Sequence, residues 1–260
     1  VTNGAPTVTS LTIDPPEAGE GATVAFAGTA TDPGNDPLTY TWEFGDGTSA
    51  DGRTATHAYA DNGTFTVTLT ATDDAGAEGS RTATIAISNV NPVIVTFQLP
   101  QGGVEGSPVA FSATATDAGT ADVLTYAWDF GDGGTSAERQ PSHTYADDGV
   151  FTVALRVTDD DGGAVARNGQ VTIGNVNPTI TLDGDFSGGE GGTFSYVATA
   201  TDPGTDTLTF TWSFGDGSPN AVGVDLAEVD HVYADAGSFT LALVVTDEDG
   251  GVARLVRTVN

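Results

Sequence analysis

Tyr40-Thr-Trp-Glu-Phe-Gly-Asp-Gly47 returns as Tyr126-Ala-Trp-Asp-Phe-Gly-Asp-Gly133 and again as Phe210-Thr-Trp-Ser-Phe-Gly-Asp-Gly217. Trp42, Trp128 and Trp212 lie 86 and 84 residues apart. Aromatic residues alternate with small or polar ones, so in an extended chain the aromatics share one face. Gly-Asp-Gly then ends the strand, because Gly supplies positive φ and Asp bonds the turn backbone. Self-similarity at a fixed period is the mark of a repeat architecture.

A second phrase follows each first: His57-Ala-Tyr59…Gly63, His143-Thr-Tyr145…Gly149 and His231-Val-Tyr233…Gly237. A third is Thr72-Asp73…Gly76, Thr158-Asp159…Gly162 and Thr246-Asp247…Gly250. The seams Asn89-Val-Asn-Pro92 and Asn175-Val-Asn-Pro178 separate the copies, and Asn3-Gly-Ala-Pro6 shares their register. The expected domains are therefore 1–88, 89–174 and 175–260, the last stopping within its final strand. Short seams stiffened by Pro predict an extended string rather than loose beads. The third copy has four extra residues between Trp212 and His231, in 219–228.

Within the first copy, Thr7–Ile13, Ala22–Ala30, Leu38–Phe44, Thr64–Thr72 and Arg81–Ser88 read as strands. Short β-branched strands with turns every 8–12 residues predict an all-β, immunoglobulin-like sandwich. Trp on the third strand is the expected core Trp. The Tyr before a turn Gly predicts a tyrosine corner, its hydroxyl bonding back to backbone. With no Cys, packing alone must hold the sheets.

Composition narrows the function. Thirty-six acidic residues face seven basic ones, all Arg, for a net charge of −29. That balance repels nucleic acid and anionic lipid. No apolar run is long enough for a transmembrane helix, and no signal peptide is visible. Because the sequence contains no Met, Val1 reads as the start of a processed chain or an excised piece.

The W-x-F-G-D-G stretch, the H-x-Y element and the T-D-x-x-G loop together resemble the PKD (polycystic kidney disease) domain, over nearly the whole chain. The resemblance implies an immunoglobulin-like spacer, adhesion or contact module of secreted and cell-surface proteins, without catalysis of its own. Some members bind calcium near the start of the module through Asn and Asp.

The three His residues recur at one station in every copy, which favours a structural role over catalysis. The Asn62-Gly-Thr64 sequon reads as a turn. The acids are more informative. In a sandwich the loops sort to two poles. The leading pole should collect Asp32, Asp36 and Asp73, then Asn89, Asn91, Asp117, Asp122 and Asp159, then Asn175, Asn177, Asp202, Asp206 and Asp247. Glu20, Glu105 and Glu190 should lie at the trailing pole, where Glu20 would approach Asn89, Asn91 and Asp117 of the next copy. Converging carboxylates without Lys predict neutralisation by a hard cation, and Ca²⁺ accepts 6–8 oxygens in loose geometry. The expected function is a non-catalytic extracellular structural, adhesion or spacer array, with calcium at the junctions. Its partners would be other surface proteins, polysaccharide or further copies. The alternative is an accessory carbohydrate- or protein-binding module of a secreted hydrolase, which would need exposed aromatics.

Overall fold

The computed structural model describes residues 3–260. These form two compact units: one runs to Phe97 and adds Ala113–Ala127 and Leu155–Arg167; the other comprises Gln98–Ser112, Trp128–Ala154 and Asn168–Asn260. The first seam lies wholly in the first unit and the second seam wholly in the second. Every regular element among the described residues is a strand, and no helix is long and apolar enough to cross a membrane.

The first copy contains β1 (Thr7–Asp14), β2 (Glu17–Gly19), β3 (Thr23–Thr31), β4 (Thr39–Glu43), β5 (Ser49–Asp51), β6 (Thr54–Ala58), β7 (Gly63–Thr72) and β8 (Glu78–Ser88). One sheet has the order β1-β3-β6, the other β2-β8-β7-β4-β5. β2 runs parallel to β8, while β4 pairs antiparallel with β5 and β7. Alternation sorts the side chains: Tyr40 and Trp42 on β4 and Val67, Leu69 and Ala71 on β7 point inward to meet Val24 and Phe26 of β3. Leucine- and aromatic-sized side chains buried this way each contribute about 1.5–3 kcal/mol, which is how the sandwich stands without disulfides.

Periodicity located β1, β3, β4, β7 and β8 to within a few residues. It missed β2, β5 and β6, of which β2 and β5 span three residues each, too short to show a period. β6 carries His57, so the missed strand places a repeated side chain.

The tyrosine corner is present in all three copies. The hydroxyls of Tyr59, Tyr145 and Tyr233 donate to the carbonyls of Phe44, Phe130 and Phe214 at 3.1, 3.0 and 3.2 Å. Each phenol is buried, and Tyr59 is 1% exposed. Tyr59→Phe should therefore cost the first copy about 1–3 kcal/mol, since Phe44 O loses its buried donor. Chemical denaturation should show the loss, and an unchanged midpoint would remove the corner from the account.

The third copy has the same two sheets without a counterpart of β2. Thr179–Gly184, Thr193–Thr201 and Glu228–Val232 form one; Ala221–Val224, Thr209–Ser213, Phe239–Thr246 and Val252–Val259 form the other. Its last strand buries Val259. The four extra residues are absorbed by the edge strand Ala221–Val224 and a turn with Asp225 at φ 53°. This turn presents Leu226 O to Trp212 Nε1 at 2.9 Å. Gly52 O and Glu138 O serve Trp42 and Trp128 in the same way, both at 2.9 Å. The longer loop thus keeps the indole's hydrogen bond from a different backbone path.

Candidate metal centres at the seams

The repeated His is part of the framework. His57, His143 and His231 bond Asp46, Asp132 and Asp216 of the Gly-Asp-Gly turns at 2.6, 2.7 and 2.7 Å. Each ring stacks on the Phe that precedes the turn, at 4.3, 4.1 and 3.8 Å between centroids. Asp216 is held down at about 2; burial opposes that shift, but bonds from Ser218 and His231 outweigh it. With one face stacked on Phe, the ring T-shaped against the corner Tyr and one nitrogen bonded, these His residues have the environment of a clamp on the turn.

The acids at the leading pole are shaped by local turns. Asp32, Asp117 and Asp202 each spend Oδ1 on the backbone N–H two residues on, in Gly34, Gly119 and Gly204. Asp73, Asp159 and Asp247 spend Oδ1 twice, on the backbone N–H groups two and four residues on. Such Asx turns fix the carboxylate and leave its second oxygen free to point elsewhere. Asp32 Oδ2, Asp117 Oδ2, Asp202 Oδ2 and Asp247 Oδ2 are buried without a hydrogen-bond partner, as are Asn89 Oδ1 and Asn175 Oδ1. In the first copy, Asp32, Asp36 and Asp73 bring ligand oxygens within 4.8 Å of one another. Asn3 donates to Asp73 there at 2.8 Å, and Asn89 donates to Asp159 at 3.2 Å.

At each seam the preceding copy adds a Glu. Glu20 is 1% exposed and Glu105 0%. Glu20 Oε1 accepts from Val90 N at 2.7 Å, and Glu105 Oε1 accepts from Val176 N at 2.6 Å. The other oxygen of each, Oε2, is buried and unpartnered. Glu20 groups with Asp117 and Asp122, and Glu105 with Asp147 and Asp206, again within 4.8 Å. A buried charge costs several kcal/mol unless compensated. Two or three such carboxylates with free oxygens facing one point are a donor set for a hard divalent cation.

The electrostatics register the crowding. Burial, and then the charges of Glu20 and Asp117, push Asp122 up to about 6. Burial, Glu105 and Asp202 push Asp206 up to about 7. Burial also raises Glu20 and Glu105, although a backbone N–H bond to each pulls the other way. Asp73 instead is lowered by Asn3 and the Ala77 N–H.

Of the residues picked out by sequence, Glu20, Asp117 and Asp122 are brought together at the first seam, and Glu105 and Asp206 at the second. Asn89 and Asp159 join in a hydrogen bond, while Asp202 and Asn175 offer free oxygens. Asn91 and Asn177 face the hairpin instead: Asn177 Oδ1 accepts from Val252 N at 3.2 Å, and Asn91 Oδ1 lies against Gly163. Sequence reading missed Asp61 and Asp147, which group with Asp122 and Asp161 at one seam and with Glu105 and Asp206 at the other. Their signal was there, because an Asp sits two residues after the corner Tyr in all three copies, at 61, 147 and 235.

Backbone packing fixes the seams. Gly21 and Gly106 have φ +70° and +67°. A Cβ on Gly21 would run into Ala118 O, and one on Gly106 would lie 2.7 Å from Pro203 O. Ala121 N donates to Ala60 O at 3.0 Å, and Thr205 N to Ala146 O at 2.8 Å. Gly191 has the same conformation, φ +73°, with open space around it. Gly191→Ala should cost only the left-handed backbone penalty, about 1–2 kcal/mol. Gly21→Ala should cost distinctly more in thermal unfolding, since backbone must move as well. Equal losses would contradict the packing described.

The repeated module is that of a known family. The family described as PKD domain matches residues 3–88, 89–173 and 175–260. The chain is 35% identical over 80 residues to "Collagenase ColA" of Bacillus cereus, covering 31% of this chain and 8% of that protein. It is 27% identical over 217 residues to "Polycystin-1" of Homo sapiens, covering 80% of this chain and 5% of that protein. Among solved structures, the PKD1 domain of Vibrio anguillarum Epp is 37% identical over 34% of this chain and 100% of that one, at a TM-score of 0.28. The chain thus spans about a tenth or less of the curated relatives named. Trp, corner Tyr and clamped His recur in three successive copies that together fill the sequence, and the chain belongs to the PKD domain family.

Proposed function

We propose that this chain is a non-catalytic spacer or adhesion array of an extracellular protein, stiffened by Ca²⁺ bound at each seam. The observation that carries the reading is the pair Glu20 and Glu105. Each is almost wholly buried, each has one oxygen without a partner, and each faces acids of the following copy. Glu20 with Asp117 and Asp122, and Glu105 with Asp206 and Asp147, would hold the ion; Asn89, Asn175 and Asp202 offer further oxygens. A cation there would link two successive copies through ligands from both, which is what a load-bearing or distance-setting array requires. The matched relative named as a collagenase supports an extracellular setting.

Isothermal titration of the metal-stripped chain with CaCl₂ tests this directly. The expected result is saturable binding with at least one ion per seam, lost on substituting the seam acids. Titration heats no different from those of dilution would end the calcium reading.

An accessory role beside a secreted hydrolase is the second reading, favoured by the name of that relative. If so, its contacts are polar. All three Trp and all six Tyr are buried, and the exposed large hydrophobic residues among the described ones are all Val. A stacking platform for sugar rings is therefore not what this surface offers.

A further inference from the structure

We propose that the edge strand Ala221–Val224 of the third copy is a self-association surface, pairing antiparallel about a two-fold axis with the same strand of a second copy of this chain. The inference is independent of the cation reading above and concerns a sheet edge rather than a seam. Each copy has one such edge strand, paired on one side only: Ser49–Asp51, Thr135–Ser136 and Ala221–Val224. The middle copy has a copy before it and another after it, and its edge is open like the third's. Flanking copies therefore do not cover this edge.

The three edges are not alike. The first includes Asp51, with Arg53 two residues on; the second is two residues long, with Glu138 and Arg139 just beyond it. Charge and brevity are ordinary guards against edge-to-edge pairing. The third edge has neither. Residues 217–224 carry no charge on a chain of net charge −29, and no Pro or bulge interrupts the strand.

Backbone alternation leaves this strand ready to pair. Asp225 N donates to Leu208 O at 3.1 Å. In an antiparallel ladder hydrogen-bonded pairs alternate with open ones. Gly223 and Ala221 therefore face the inner strand Thr209–Ser213, while the N–H and C=O groups of Val222 and Val224 point off the edge. Val222 and Val224 are 60% and 57% exposed. The rows that continue from them across the sheet, Thr211-Val244-Arg254 and Thr209-Thr246-Val252, contain no acid.

The occupant must be extended, uncharged and open along its own edge. A second copy of this strand meets all three requirements, whereas the Ser49–Asp51 edge would set a carboxylate against Val. With Gly223 on the two-fold axis, Val222 lies opposite the partner's Val224, and about four backbone hydrogen bonds form. The Val side chains of both copies then gather on one face. Asp225 lies two residues from the axis, so the two Asp225 residues stand about 13 Å apart. That exceeds the Debye length of about 8 Å at physiological ionic strength. So small a contact falls short of the roughly 1,200 Å² of standard specific interfaces, and two chains of net charge −29 repel at long range. The dimer is therefore weak, and it strengthens as salt screens the repulsion.

Sedimentation velocity in EDTA tests this, over a concentration series reaching millimolar, at low and at physiological salt. EDTA keeps calcium bridging out of the result. The dilute chain should be a 26.2 kDa monomer, shifting with concentration to twice that mass and no further, more readily at the higher salt. Hydrogen exchange at the Val222 and Val224 amides should slow over the same range. Val222→Lys sets like charges on the paired face. Val224→Pro deletes an outward donor and no bond to the inner strand. Each should abolish the dimer while the monomer keeps the melting temperature of the parent. A monomer at every concentration, or a dimer that survives both substitutions, overturns the proposal. Species larger than the dimer, or association that weakens with salt, overturns it as well. None of these outcomes touches the calcium reading, which the CaCl₂ titration decides separately.

Discussion

Stripping calcium from the chain should lower its melting temperature by roughly 10–20 °C. A ligand held at about 100 times its dissociation constant stabilises by about 2.7 kcal/mol per site. For a domain of this size each kcal/mol moves the midpoint by about 4–8 °C. The metal-free seams also repel themselves, so the apo protein starts from a strained reference. pH separates the two contributions. Asp122 and Asp206 sit at about 6 and about 7 when folded, above their ordinary value of 3.8. The folded metal-free chain therefore binds more protons than the unfolded one between those values. That stability is full below the ordinary pKa and is lost as pH rises through the folded one. In EDTA the melting temperature should fall between about pH 4 and about pH 7. In saturating calcium the carboxylates stay ionised and the fall should vanish. Comparing the two curves at each pH cancels titration common to both. Superimposable curves with and without calcium would sink the idea.

Glu20→Gln should reverse sign with calcium. Gln keeps an oxygen for Val90 N and nearly the same shape, but removes a buried charge that crowds Asp117 and Asp122. Without metal the variant should be as stable as the parent or more so, because relieving an uncompensated buried charge is favourable. With metal it should be the less stable of the two, with calcium affinity at the first seam down roughly tenfold or more, since charge count sets affinity in oxygen sites. Glu105→Gln should act likewise at the second seam, and independently, because the sites share no residue. A variant affected equally in calcium and in EDTA would remove Glu20 from the metal site.

The repeat, the sandwich class, the core Trp and the tyrosine corner were legible because period-2 alternation and turn chemistry are local, and three copies repeat them. The seam acids were partly legible: Glu20, Asp117 and Asp122 could be placed at facing poles from the topology of the fold class. Asp61 and Asp147 recur two residues after the corner Tyr, yet their place at the seams depends on how far the corner loop of one copy reaches over the next. Nor did sequence distinguish Asn89, which reaches Asp159, from Asn177, which braces a hairpin backbone.

That one module is written three times, with its aromatics forming the cores, is encoded locally. Alternation, Gly-Asp-Gly turns and spacing require nothing beyond the local chain. Which oxygens remain unsatisfied depends on packing between copies. Glu20 and Glu190 follow the same motif, yet one is buried against another copy's acidic turn and the other lies in solvent. Burial and the company of other charges are set by packing across a seam, and no property of Glu-Gly in the chain encodes them.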